Sequence, residues 1–278
     1  MNRPSIPVSH ALARSWLLCP ASTEAALVTA RGSAADVVLL DLEDGLAHRA
    51  KSGGRDVVIA DIANPDTSTW VRINDASSSN WELDMGALAG KAGLAGVMLA
   101  KAESADDVDR TSRALGREVP VVALIESAKG LSAAEIIAQH PATVRLAFGI
   151  GDYRRDAGAG RSPIALSFPR TQLVLASRLA NIASPIDGPA LTTDEGELIT
   201  DCGSSTEMGM SGKLCLTADH THVINLQFSP TPEDIEWAGN VVAALGENGS
   251  HITDGSDLPN LARAQKIQAR ARSFALTV

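Results

Sequence analysis

Short apolar runs recur along this chain with helical stretches between them, and that alternation restricts the folds open to it more than any other feature. The runs are RSWLLCP (14–20), DVVLLDLED (36–44), TWVRIN (69–74), AGVMLAK (95–101), VPVVALIES (119–127), VRLAFGIGD (144–152), ASPIDGPA (183–190) and GKLCLTA (212–218). Most are continuous in Val, Leu, Ile and Ala, as strands covered on both faces require. The segments between them carry helix signals. STEAALVTARG starts at Ser22 or Thr23 and stops at Gly32, and SADDVDRTSRALG runs from Ser104 to Gly116. GLSAAEIIAQH and SFPRTQLVLASRLANIA read as further helices. Strands alternating with helices predict a parallel α/β sheet, and eight of them predict closure into a (β/α)8 TIM barrel, for which 278 residues is a normal length. Beyond the eighth run, SPTPEDIEWAGNVVAALGENG reads as a helix with Pro232 at its start, and a Gly/Asp/Ser-rich hinge leads to the basic helix LARAQKIQARARSF. The expected division is a barrel over 1–228 and a C-terminal helical extension over 229–278, packed on its own or a neighbouring barrel.

Composition removes several classes of function. A net charge of -9 leaves no cationic excess to displace phosphate counterions, which argues against nucleic acid as a partner. Aromatics at 3% provide no stacking surface for bases. No apolar run reaches the roughly 18 residues of a membrane span, and MNRPSIPVSHALAR lacks the apolar core of a secretory signal, so no membrane association and a cytoplasmic location are expected. Cys19, Cys202 and Cys215 are widely spaced, which suggests neither a disulfide framework nor a zinc site.

Three of the runs end in a charge: Arg72 in TWVRIN, Glu126 in VVALIES and Asp152 in LAFGIGD. Parallel strands of one barrel bring their C-terminal ends to one mouth, where two carboxylates can hold a hard divalent cation and an arginine an anionic substrate. Each has a plainer reading: Glu126 as a surface carboxylate at a strand–loop junction, Asp152 as a helix cap, Arg72 as half of a structural ion pair. One Glu and one Asp on successive strands, with water filling the remaining positions, is the usual build of a magnesium site. The glycines at 149 and 151 are expected to let the backbone approach a ligand. LDLEDGL adds Asp41, Glu43 and Asp44, of which alternation along a strand allows at most two to face the mouth. Arg14, Lys51, Arg55 and Lys101 are the basic residues expected near it. The histidines form no H-x-x-x-H or H-E-x-x-H pattern, and His220 with His222 is poorly spaced for a chelate. No G-x-G-x-x-G, Walker A or G-x-S-x-G sequence occurs.

These motifs, taken in order, resemble the citrate lyase beta-subunit-like branch of the HpcH/HpaI aldolase superfamily over nearly the whole chain: RSWLLCP, VVLLDLEDGLAHRAK, WVRIN, GVMLAKAES, ALIESAKGL, FGIGDY, PIDGP, GKLCL and FSPTPEDIEWA. The resemblance implies a barrel that assembles as a homotrimer, Mg2+ (or Mn2+) on Glu126 and Asp152, and a substrate carboxylate on Arg72; Glu43, Arg14 and Lys51, by their expected place near the mouth, are further candidate substrate contacts. It also implies lyase or Claisen-type chemistry on acyl-CoA thioesters of small hydroxy acids, with coenzyme A as part of the substrate. An aspartate from a neighbouring subunit would move protons, and the D-x-P of SDLP places Asp257 there, with Asp254 close by. The alternative for Asp257 is a cap on the last helix. The chain departs from the family pattern at Pro20-Ala21, at Gly151, and at Leu216-Thr217-Ala218, where a histidine is lost from the mouth.

The expected function is therefore a Mg2+-dependent carbon–carbon lyase, citryl-CoA or malyl-CoA lyase-like, that cleaves a short 3-hydroxy-acyl thioester through a metal-stabilised enolate. A thioesterase side activity accompanies it. One alternative is a class II aldolase forming pyruvate from 2-oxo acids, which would need a histidine base at the mouth. The other is a catalytically silent barrel that binds CoA or a dicarboxylate.

Overall fold

The computed structural model describes residues 8–116 and 118–276; the first seven residues of MNRPSIPVSHALAR lie outside that range. Eight parallel strands close into one barrel in sequence order. They are β1 (Ser15–Pro20), β2 (Val37–Asp41), β3 (Thr69–Ile73), β4 (Leu94–Leu99), β5 (Val121–Ile125), β6 (Thr143–Phe148), β7 (Ala183–Asp187) and β8 (Gly212–Cys215). The helices around them are α1 (Glu24–Arg31), α2 (Lys51–Ile62), α3 (Ser79–Leu88), α4 (Ala105–Ala114), α5 (Ala128–Ser132), α6 (Ala134–Ala138), α7 (Ile150–Ala157), α8 (Pro163–Leu179), α9 (Glu195–Glu207) and α10 (His220–Gln227). A hairpin of α11 (Pro232–Leu245) and α12 (Asp257–Ser273) follows. All eight expected strands form. GLSAAEIIAQH, expected as one helix, breaks at Ala133, whose φ of -93° and ψ of 1° separate α5 from α6.

Several helix starts follow from their local sequence. Thr23 and Ser104 accept from backbone N–H groups of their first turns, and Thr231 with Asp234 forms a capping box in front of Pro232. Among the described residues no helix is long and apolar enough to cross a membrane.

The strand faces sort the core into two layers. One cluster takes Trp16, Leu39, Trp70, Met98, Leu124 and Ile186, with partners from the remaining strands, and fills the barrel interior. The other takes the alternate residues and packs them against the helices. Stepping two residues along the interior face takes Leu39 to Asp41, Trp70 to Arg72 and Leu124 to Glu126. The pleat that buries the apolar residues thus aims these three charges into the mouth.

The opposite end of the barrel is closed by Arg145. Its buried guanidinium donates to the carbonyls of Ala13 (2.8 Å), His10 (3.0 Å) and Ser184 (2.7 Å) and to Ser211 Oγ (2.9 Å). Arg14, expected at the mouth, lies at this end too, because it precedes β1. Its guanidinium grips Asp36 with two 2.8 Å hydrogen bonds, donates to Ser229 Oγ at 2.7 Å and stacks 4.0 Å from the Phe274 ring centroid. It is therefore not a substrate contact but the clamp between β1, β2 and the end of α12. Arg14→Gln is expected to lower stability by about 1–3 kcal/mol, read from denaturant unfolding, and to leave substrate affinity unchanged.

Candidate active site

The mouth begins with a paired register. Asp41 and Arg72 are direct cross-strand partners, and the arginine holds both aspartate oxygens, Nε to Oδ1 at 2.8 Å and Nη2 to Oδ2 at 2.6 Å. Its remaining nitrogen, Nη1, faces Glu43 Oε2 at 3.1 Å. Burial works against the guanidinium charge, but the hydrogen bonds and charge of Asp41, with Glu43 and Glu126 behind, outweigh it and hold the group firmly protonated. Gly45 is required here, since a side chain at that position would collide with the Asp41 carboxylate. So Asp41 and Glu43 face the mouth and Asp44 is exposed.

The loop carrying Glu43 is braced from below. Lys51 Nζ donates to the carbonyls of Leu42 and Glu43, each at 2.8 Å, and to Asn74 Oδ1 at 2.7 Å. Asn74 in turn donates to Asp84 Oδ2 at 2.6 Å, and Asp84 pairs with Arg55 at 3.2 Å. Lys51, expected to contact substrate, thus has its three protons committed to the two loop carbonyls and Asn74, and acts by holding the loop of Glu43. Arg55, expected near the mouth, sits between α2 and α3.

Glu126 lies just past β5 and is buried. Its Oε1 accepts the backbone N–H of Lys101 at 2.8 Å. Burial, then the neighbouring Glu43 charge and more weakly Asp152, push its carboxyl up to about 8. Gly149 accommodates this side chain: a Cβ there would overlap Glu126 itself, so the glycine makes room for the carboxylate and not for a ligand, whereas Gly151 faces open space.

Asp152 does not end β6 as expected. The chain turns into α7 at Gly149, which puts Asp152 in the first helical turn, where the dipole favours an acid. Its side chain still reaches the mouth: Oδ2 is 3.8 Å from Lys101 Nζ, and Oδ1 pairs with the exposed Arg155 at 3.1 Å. A cleft of about 460 Å³ opens over these groups, lined by Lys101, Glu103, Glu126, Ser127, Asp152 and Arg155 together with Asp156.

With Arg72 and Asp41 largely neutralising each other, the carboxyl groups of Glu43, Glu126 and Asp152 crowd around Lys101, and Glu126 holds its proton there. Asp152 Oδ2 is buried without a hydrogen-bond partner. That orphaned oxygen and the strained ionisation of Glu126 suit a divalent cation. Among the described residues no trio of His, Cys, Asp or Glu is set to chelate a metal. An ion here would take two carboxylates and fill its remaining positions with water or substrate oxygens.

The residues expected from the C-terminal tail lie elsewhere. Asp257 opens α12, and its Oδ2 accepts from Thr253 N at 2.8 Å, Thr253 Oγ1 at 3.1 Å and Asp254 N at 3.1 Å. Those backbone donors, Thr253 first, hold its carboxyl below the usual range. Asp254 caps Ser256. Within one chain neither contacts the mouth groups. His220 and His222 open α10, and Leu216 and Thr217 are exposed at the end of β8. Lys101, expected from sequence near the mouth with three other basic residues but given no role, is central to the cleft. Its position just after the end of β4 was the available signal. Asn74 and Asp84 gave none.

The family described as HpcH/HpaI aldolase/citrate lyase matches residues 14–218, and its C-terminal domain matches residues 233–275. The chain is similar to a (3S)-malyl-CoA thioesterase of Cereibacter sphaeroides, 30% identical over 94% of this chain and 95% of that protein. It is 34% identical to a citrate lyase subunit beta-like protein of Mycobacterium tuberculosis over 92% of this chain and 94% of the other. Among solved structures it resembles protein CitE from Mycobacterium tuberculosis, in complex with magnesium, acetoacetate and coenzyme A. That likeness has a TM-score of 0.79 at 29% identity and covers 94% of this chain and 99% of that one.

Proposed function

The chain belongs to the HpcH/HpaI aldolase/citrate lyase family, and on that premise we propose that it is a Mg2+-dependent carbon–carbon lyase. Its substrate would be a short 3-hydroxy-acyl-CoA thioester, citryl-CoA-like or malyl-CoA-like, with thioester hydrolysis as a second activity of the same site. The observation that carries the reading is the pairing, in one cleft, of Glu126, pushed up to about 8, with the orphaned oxygen of Asp152. A similar protein that hydrolyses (3S)-malyl-CoA and a similar structure holding magnesium and coenzyme A support the substrate class.

Glu126 and Asp152 would hold the ion, with Mn2+ able to replace Mg2+. A cation held by them would supply positive charge to offset the negative charge that develops on the thioester carbonyl. Arg72, fixed by Asp41, presents its Nη1 edge to the substrate's distal carboxylate or carbonyl oxygen, and Glu43 holds that edge in place. A base takes the 3-hydroxyl proton, the C2–C3 bond breaks to leave a carbonyl product, and the thioester enolate takes up a proton. Asp257 from a neighbouring subunit of a homotrimer is the group we assign to that transfer. Two features support it: α11 and α12 pack chiefly on one another, and the Asp257 carboxylate is ionised and on the surface. The same hairpin is the basis for dividing the chain into a barrel over 1–228 and an extension over 229–278. The location we infer for it is the cytoplasm.

The test is a panel of malyl-CoA and citryl-CoA with Mg2+ and with chelator, scored separately for acetyl-CoA and free CoA. Acetyl-CoA release that needs the metal is expected. Cation binding without turnover on any thioester would instead support a silent barrel. Arg72→Lys is expected to lower kcat/KM by about 100-fold or more, because an ammonium cannot hold Asp41 on two nitrogens and still face substrate. A loss under threefold would remove Arg72 from the site.

A further inference from the structure

The turn after β4 puts Lys101 in the left-handed region at φ 47°, a conformation that costs a side-chain-bearing residue free energy and persists only where its surroundings enforce it. The turn lets one residue meet three carboxylates. Its backbone N–H donates to Glu126 Oε1 at 2.8 Å. Its ammonium donates to Glu43 Oε1 at 3.1 Å and lies 3.8 Å from Asp152 Oδ2. That aspartate oxygen is the buried one without a hydrogen-bond partner. The other cations near the cleft are engaged differently: Arg72 is locked on Asp41, Lys129 pairs with Glu103 at 3.0 Å, and Arg155 is largely exposed.

We propose that Lys101 is a positioning residue of the cleft, an internal counter-ion whose ammonium competes with the divalent cation for Asp152 while its backbone fixes Glu126. This rests on the metal reading given above. An ammonium beside the oxygen that a cation must grip repels that cation, so Lys101 weakens cation binding in the absence of substrate. An anionic substrate entering the cleft offers the ammonium a new partner. The flexible, 37% exposed lysine side chain can then turn from Asp152 to the substrate. Cation and anionic substrate therefore bind cooperatively, each tightening the other by the same factor. A lysine at this position thus couples loading of the metal to arrival of the substrate.

The experiment is calorimetric titration of Mg2+ into the full chain after chelator treatment, for the wild type, Lys101→Gln, Lys101→Met, Lys101→Arg and Glu126→Gln, with melting curves to establish folding. Lys101→Gln and Lys101→Met are expected to bind Mg2+ roughly tenfold tighter than wild type, and Lys101→Arg to stay within about threefold of it. Malonate, as a dicarboxylate probe, should tighten Mg2+ binding by the wild type and do so less in Lys101→Gln. Equal or weaker Mg2+ binding by the neutral variants, with wild type binding and Glu126→Gln not, overturns the role of Lys101 and leaves the metal reading intact. No Mg2+ binding by wild type overturns both. Should the neutral variants fail to fold, the wild-type measurement decides, and a Mg2+ affinity unmoved by malonate overturns the proposal.

Discussion

Glu126→Gln is expected to make the metal-free protein more stable at pH 8.5 and to abolish its binding of Mg2+. The carboxyl is buried beside Glu43 and Asp152 and titrates at about 8, against an ordinary value of 4.5. A raised pKa means that the folded state holds its proton where the unfolded chain has lost it. The full stability is present below the unfolded pKa and is lost as pH rises through the folded one, by an amount on the order of 3–5 kcal/mol above pH 8. An amide of the same shape does not ionise, keeps an acceptor for the Lys101 N–H and removes one of the crowded negative charges. At about 2–4 °C per kcal/mol the variant should melt at least several degrees above wild type at pH 8.5 in chelator, with the gap closing near pH 5. Turnover should fall by roughly 1,000-fold, the loss expected when a metal ligand is neutralised. Differential scanning calorimetry across pH checks the first part and Mg2+ titration the second. A variant that melts below wild type at pH 8.5, or that binds Mg2+ normally, would remove Glu126 from the role given to it.

Asp187→Ala carries the largest expected loss of stability, and it acts away from the mouth. Asp187 ends β7 on the face turned toward the helices, fully buried, and accepts from Arg170 at 3.0 and 2.8 Å, Lys213 at 2.6 Å and Ser205 at 2.6 Å. Burial alone would raise its pKa, but Lys213 and then Arg170 outweigh burial, and the carboxyl is held below the ordinary range. Its contribution is thus present above the unfolded value and is lost only as pH falls through the lower folded one. Removing the carboxylate leaves Lys213 and Arg170 inside the protein with Asp201, itself partly exposed, as the acceptor still in reach. Breaking a buried pair on one side costs about 3–5 kcal/mol. Lys213→Met should cost less, because Asp187 keeps both bonds from Arg170. Urea unfolding of the two variants gives the comparison, and a loss under about 1 kcal/mol for Asp187→Ala would show that water or rearrangement replaces the network. The folded fraction of either variant should retain Mg2+ affinity.

How far the site was legible depended on whether a residue's place follows from the pleat. Asp41, Arg72 and Glu126 each stand two positions beyond an apolar residue of the barrel interior, so once the strands are placed the pleat carries them to the mouth. Asp187 and Lys213 occupy the other face of their strands, which continuous apolar runs conceal because both faces are buried. Arg14 was misplaced for a related reason. It adjoins a strand, but at its N-terminal end, where charges clamp the base of the barrel and meet no substrate. Asp152 was assigned to a strand that had already ended, because Gly149 allows the turn into α7 while making space for Glu126, and a glycine in a sequence does not say which of the two it serves.

The sequence alone determined the eight alternating units, their order, the helix caps and the charged residues at the ends of β3 and β5. These rest on local periodicity and on interactions among neighbours in the chain. The tertiary structure alone decided which charges meet: Arg72 on Asp41, and Lys101 among Glu43, Glu126 and Asp152. Those pairs join different strands across the closed barrel, so their energies depend on distances that no local pattern encodes. The chemistry open to the mouth follows from the crowded carboxyls of Glu126 and Asp152 that those pairings leave without a full partner.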